Sequence, residues 1–313
     1  MMFAALSATA YGSAQFMTQL GLRHGRLRAP QAILINLSAA VLVLALALGV
    51  VWAVDPVEVQ WRGVAFFAVA GLLGPFVGRS LNFLAIQRVG ATRTASLGMS
   101  ESLFAAALAW IILGQSLSPL TLAGVVVLAA GTALFVNETG RTFRSMAAPL
   151  PVRAGGEAVD RSLPAGRVAV GVAIGLTSGF FFSVAGIMRQ LGIDLMPSAV
   201  FGAAVGTFVA LLVTLVNVVR AGQLRGVFRV EPRNAGPFAI SGVLASAGMV
   251  CFFLALQLGG ELAVSSALKN LTPLFTFALA ALFMAHLERI TVRVGFLVAV
   301  VVTGAVIMTL GRG

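Results

Sequence analysis

Long uncharged stretches alternate with short polar ones along the whole chain. Charge-free runs cover residues 1–22, 29–54, 102–137, 168–188, 195–219 and 234–260. Each is long enough for a helix of about 20 residues, which crosses ~30 Å of hydrocarbon. With Pro, Gly and charge clusters as stops, the pattern predicts ten helices. The first five are Phe3 to Leu22, Pro30 to Ala53, Gly63 to Gln87, Ala91 to Leu113 and Ser118 to Val136. The second five are Arg167 to Gln190, Ser198 to Val219, Ala235 to Gln257, Leu262 to Ala285 and Thr291 to Leu310. Between them lies a polar stretch with Pro and Gly, 137–166. The expected fold class is all-α integral membrane, with ten transmembrane helices.

The halves resemble each other at a nearly constant offset, the mark of an internal duplication. Gln19-Leu20-Gly21-Leu22 matches Gln190-Leu191-Gly192-Ile193, and Phe83-Leu84-Ala85-Ile86-Gln87 matches Phe253-Leu254-Ala255-Leu256-Gln257. Gln115-Ser116-Leu117-Ser118 corresponds to Glu288-Arg289-Ile290-Thr291. Residues 1–136 and 167–313 are therefore read as two five-helix repeats, with 137–166 as linker. Because five is odd, the second copy must enter the bilayer from the opposite side, giving an inverted repeat.

Composition agrees. Of 313 residues 59% are hydrophobic and 10% charged, well short of the ~25% charge usual in soluble domains, and ten spans leave no room for a soluble catalytic domain. The net charge of +11 is scattered through short connections, so it reads as an orientation signal and not as a nucleic-acid surface. Arg23, Arg26 and Arg28 follow the first helix where Asp194 follows the sixth; Asp55 and Glu58 follow the second where Arg220, Arg225, Arg229 and Arg233 follow the seventh. Equivalent loops thus swap sign, as inversion requires. The positive-inside rule places the linker in the cytoplasm and both termini outside. The first helix lacks a basic n-region and carries Tyr11, Gln15, Thr18 and Gln19, so it is read as retained and not as a signal peptide.

Several short motifs are familiar in their order. Gly78-Arg79-Ser80-Leu81-Asn82-Phe83, Gly90-Ala91-Thr92-Arg93, Leu113-Gly114-Gln115-Ser116-Leu117-Ser118 and Leu271-Thr272-Pro273-Leu274-Phe275 resemble the drug/metabolite transporter superfamily, specifically its EamA-like ten-helix members. The resemblance implies a secondary transporter or exporter of small metabolites. It also implies cytoplasmic termini, opposite to the charge count. The chain departs from the family pattern in having Glu101-Ser102 for Glu-Pro and Gly114-Gln115 for Gly-Glu, and in the second copy Thr272 precedes Pro273 in place of an acid.

Charge at mid-bilayer costs about 2.5–3.5 kcal/mol on insertion scales and marks a partner, pathway or cavity. Arg79 and Glu101 are each ~15 Å from the turn joining the third and fourth helices, so they can pair across that hairpin. Lys269, the only lysine, lies ~13 Å deep opposite Cys251 and has no partner within its own hairpin. Asn270 and Thr272 follow it, before Pro273. Tyr11, Gln15, Thr18 and Gln19 make one polar stripe on the first helix, which serves either as interhelical glue or as part of a pathway. Arg79, Glu101, Lys269, Asn270, Thr272, Tyr11, Gln15 and Gln19 are the candidate substrate and ion contacts, and their net positive charge favours an anionic or zwitterionic solute.

The expected function is secondary transport or export of a small polar metabolite by alternating access in a bacterial-type plasma membrane, with Glu101 as the candidate proton carrier. Expected partners are the bilayer, a small-molecule substrate and protons. A flippase for lipid-linked headgroups is the alternative. An enzyme is disfavoured: His24 and His286 are the only histidines and sit at helix ends, no metal-ligand spacing appears, and no phosphate-binding loop suggests ATP drive. No cofactor is expected.

Overall fold

A computed structural model of the chain describes residues 2–24, 29–54, 56–89, 94, 97–115, 118–146, 165–222, 232–283 and 292–310. The described chain is all helical: α1 (Met2–His24), α2 (Ala29–Val54), α3 (Trp61–Gly71), a π-helical segment (Leu72–Gly78), α4 (Arg79–Val89), α5 (Ser100–Leu113), α6 (Pro119–Met146), α7 (Ala165–Leu195), α8 (Ala199–Arg220), α9 (Pro232–Gln257), α10 (Leu262–Lys269), α11 (Thr272–Phe283) and α12 (Val292–Leu310). Among the described residues, seven stretches are long and apolar enough to cross a membrane, and Ser100–Leu113 and Gly295–Met308 are shorter apolar helices. Along α2, Leu42, Leu46 and Val50 share one exposed face, the i, i+4, i+8 spacing of a lipid-facing stripe.

Several of the expected helices are not uniform; the fourth turns at Met99 before α5. The third contains the π segment, which includes Pro75; proline supplies no N–H, and wider turns accommodate the loss. The ninth is divided into α10 and α11 at Asn270 and Leu271. Two others are longer than expected. No proline interrupts α6 before Pro149, and it continues to Met146, into the stretch read as linker. Similarly α7 runs to Leu195, stopping before Met196-Pro197. Asp194 therefore lies in its last turn and accepts a hydrogen bond from Gln190 Nε2 at 2.8 Å.

The chain forms two compact units, residues 1–76 with 188–260 and residues 77–187 with 261–313. In the first, Leu44, Phe67, Ile193, Met196, Ala199, Ala203 and Phe253 make a buried cluster, with Phe67 and Phe253 edge to face at 5.7 Å. Gly71 of α3 lies against the backbone of Gly206 in α8, where any Cβ would collide with the Gly206 carbonyl; this is the small-residue contact by which membrane helices approach closely. Polar side chains tie α1 to α9: Ser7 Oγ donates to the Gly248 carbonyl at 2.8 Å, Ser241 Oγ donates to the Ala14 carbonyl at 2.8 Å, and Thr18 and Ser241 share a hydroxyl bond. Asn36 of α2 donates to Ser241 Oγ at 3.1 Å.

In the second unit α6 packs along α12, with Val125, Leu128, Val301 and Met308 fully buried. Phe135 of α6 meets Phe277 of α11 edge to face at 5.3 Å, and Phe104 of α5 meets Phe180 of α7 at 5.8 Å.

Candidate functional site

The site lies in the second unit, where two helices are interrupted at equivalent places. In the second half of the chain α10 ends at Lys269 and α11 begins at Thr272. Pro273 has no N–H to give the carbonyl of Lys269, four residues back. Thr272 replaces it: its hydroxyl donates to that carbonyl at 2.7 Å. In the first half, Leu97 and Gly98 are helical, Met99 is a turn, and α5 restarts at Ser100. Ser102 Oγ donates to the Met99 carbonyl at 2.9 Å, beside the Ser102 N–H, which reaches the same oxygen at 3.3 Å. Met99 and Asn270 are 171 residues apart, the offset of the Gln19 and Gln190 motifs.

Each interruption presents one charge. Glu101 is in the first turn of α5, where the positive end of the helix dipole favours an anion; Lys269 is in the last turn of α10, where the negative end favours a cation. The two meet, with Lys269 Nζ donating to Glu101 Oε1 at 2.5 Å. Their side chains are 15% and 11% exposed, so the pair is neither sealed in the core nor set in open solvent. Lys269 is thus not the partnerless cation expected from its own hairpin. Its partner comes from the other half of the chain.

Three further contacts hold the pair in place. The Ser183 hydroxyl on α7 donates to the Glu101 carbonyl at 2.7 Å. One turn earlier, a Cβ on Gly179 would stand 2.6 Å from Ser100 Oγ and 3.3 Å from Glu101 N, so only glycine lets α7 come this near to α5. At the other end of α10, Leu262 N donates to Gln115 Oε1 at 3.3 Å. Gln115 follows Gly114, whose φ of 64° ends α5 in the left-handed conformation. Asn270 Nδ2 and Ser100 Oγ are buried without a hydrogen-bond partner, two unfilled polar atoms flanking the charges. Among the described residues, no three His, Cys, Asp or Glu side chains gather as a metal site.

Of the candidates from the sequence, Glu101, Lys269, Asn270 and Thr272 come together here. Arg79 belongs to the same unit, half-buried at the start of α4; the residue before it, Gly78, accepts the Ser178 hydroxyl at 2.7 Å. Tyr11 and Gln15 belong to the other unit. The Tyr11 hydroxyl donates to Met249 Sδ at 3.4 Å, Gln15 is exposed, and the side chain of Gln19 lies outside the described residues. Sequence reasoning passed over Gly179 and Ser183, although Gly171, Gly175, Gly179 and Ser183 repeat every four residues, a small-residue stripe characteristic of close helix contact. It also passed over Arg189. Arg189 is 6% exposed within α7, its guanidinium 5.8 Å from the Phe252 ring centre.

Residues 1–137 match the EamA-like transporter family. The chain therefore carries an EamA-like transporter domain. That family is one of transporters and not of enzymes, and with seven described stretches long and apolar enough to cross a membrane the chain is a multi-pass integral membrane protein. A solved structure described only as "Crystal structure of protein" shares its fold, with a TM-score of 0.74 at 14% sequence identity over 99% of this chain and 96% of the other. No curated protein matches the chain.

Proposed function

We propose that this EamA-like chain is a secondary active transporter of a small polar metabolite, working by alternating access between inverted copies 1–136 and 167–313 in a bacterial-type plasma membrane. The observation that carries the reading is the ion pair of Glu101 and Lys269, formed where two helices from different halves are both broken. Charges and loosened backbone at paired helix breaks are how many secondary transporters hold polar cargo near the midplane. The family match ending at residue 137 and the 171-residue spacing of the breaks support the duplication.

Pairing alters the substrate argument. An acid and a base side by side cancel, so they complement either a zwitterion, whose two charges each find a partner, or an anion that takes Lys269 once Glu101 is neutralised. Arg79 adds positive charge to the same unit and keeps the balance away from lipophilic cations. Glu101 is the proton carrier in this reading and Lys269 the substrate anchor, with Asn270 and Thr272 beside it. Tyr11, Gln15 and Gln19 stand as further contacts along the pathway.

The test is reconstitution in proteoliposomes, with a panel of radiolabelled organic anions, zwitterions and lipophilic cations. The reading expects flux of an anion or zwitterion that Lys269→Met abolishes. Flux of a lipophilic cation, or full flux through Lys269→Met, would overturn it.

A further inference from the structure

An anion arriving at Lys269 finds the ammonium already occupied by the Glu101 carboxylate. Among the described residues, the helical stretches packed around the pair carry no other ionisable group: α10 has Lys269 alone and α11 none, while α6 from 119 to 137 and α7 from 168 to 187 have none either. Arg79 of α4 and Glu261, the residue before α10, are further charges of the same unit. Each contributes equally before and after binding, so the difference between the two states does not depend on them. A site that held the ammonium, the carboxylate and a monovalent anion would be one unit more negative than the empty pair, and uncompensated charge in a low-dielectric interior is costly.

We propose that Glu101 makes anion transport by this chain obligatorily proton-linked: a monovalent anion binds Lys269 only as one proton adds to Glu101, so that anion and proton cross together, one to one. The step balances. A proton from solvent adds to the carboxylate oxygen as Nζ leaves it, the substrate's anionic group accepts the N–H bond in its place, and the loaded site carries the same net charge as the empty one. Nothing is oxidised or reduced. The neutral carboxyl then has a hydrogen to donate, and Asn270 Nδ2, buried and without a partner, supplies a further donor for the anion. A zwitterion follows the other course, because its cationic end keeps Glu101 ionised and no proton is needed. This inference rests on the reading that the pair is the substrate site, and it specifies how that site is coupled.

Two probes of nearly the same shape separate the cases. Ethanesulfonate is a permanently ionised anion, and taurine is the same molecule with an ammonium added. Calorimetric titration of the purified full chain, repeated in buffers of different ionisation enthalpy, counts protons taken up per ligand bound. Ethanesulfonate should bind with uptake of about one proton, so its affinity should fall as pH rises. Any taurine binding should take up none. Glu101→Gln should bind ethanesulfonate through the freed Lys269 with no proton uptake and no pH dependence over the same range. Binding by wild type without proton uptake, or unchanged uptake in Glu101→Gln, would overturn the coupling while leaving the site in place. Undiminished ethanesulfonate binding in Lys269→Met, or no binding by wild type even in mild acid, would instead remove the site and the coupling with it.

Discussion

Lys269 shows how a single residue's role changes once its partner is known. Depth arithmetic within each hairpin matched Glu101 to Arg79 and left Lys269 facing Cys251, because it compared only helices joined by a short turn. The depths themselves, ~15 Å and ~13 Å, already allowed Glu101 and Lys269 to meet across the two halves. What the sequence could not supply was the packing of α5 against α10, tied at its far end by the bond from Leu262 N to Gln115. Breaking a largely buried pair by removing one partner costs about 3–5 kcal/mol, whereas removing both can be nearly neutral. Glu101→Gln and Lys269→Met should therefore each lower the thermal stability of the detergent-solubilised protein, and the double variant should lose clearly less than the sum, by a coupling of about 0.5–3 kcal/mol. Strict additivity in melting experiments would mean that the two side chains do not interact.

At the scale of the element, the break between α10 and α11 was legible in part. Pro273 announced a loosened backbone, but continuous hydropathy through 262–285 read as one helix, since periodicity is blind to a two-residue interruption. The π segment in the third helix was hidden in the same way, with only Gly71, Gly74, Pro75 and Gly78 hinting at irregular winding. In the break the Thr272 hydroxyl substitutes for the N–H that Pro273 lacks. Thr272→Val keeps the shape but removes the hydroxyl bond to the Lys269 carbonyl, and should cost about 0.5–1.5 kcal/mol. Thr272→Ser should restore most of that loss, as read from unfolding midpoints of the two variants. Equal stability of Val and Ser at this position would show that the hydroxyl bond contributes nothing to the break.

For the whole molecule, the hydrophobic pattern made the all-helical membrane architecture plain, and the motif order pointed to the family that residues 1–137 match. The connections carry the orientation signal, and here two arguments oppose each other: cations concentrate in the linker and its companion loops, while the family resemblance implies cytoplasmic termini. The charge distribution predicts that a reporter fused after Gly313 faces the periplasm and one placed in the 137–166 linker faces the cytoplasm. A cytoplasmic signal from the C-terminal fusion would reverse that orientation.

Alternating access at the broken helices is the central claim, and the single native cysteine makes it directly measurable. With Cys251→Ser as background, a lone cysteine at Asn270 or Thr272 can be challenged with a membrane-impermeant thiol reagent in right-side-out and in inside-out vesicles. The account predicts that the same position is labelled from both sides, since the site must open to each in turn. Labelling from one side only at both positions, or from neither, would contradict it.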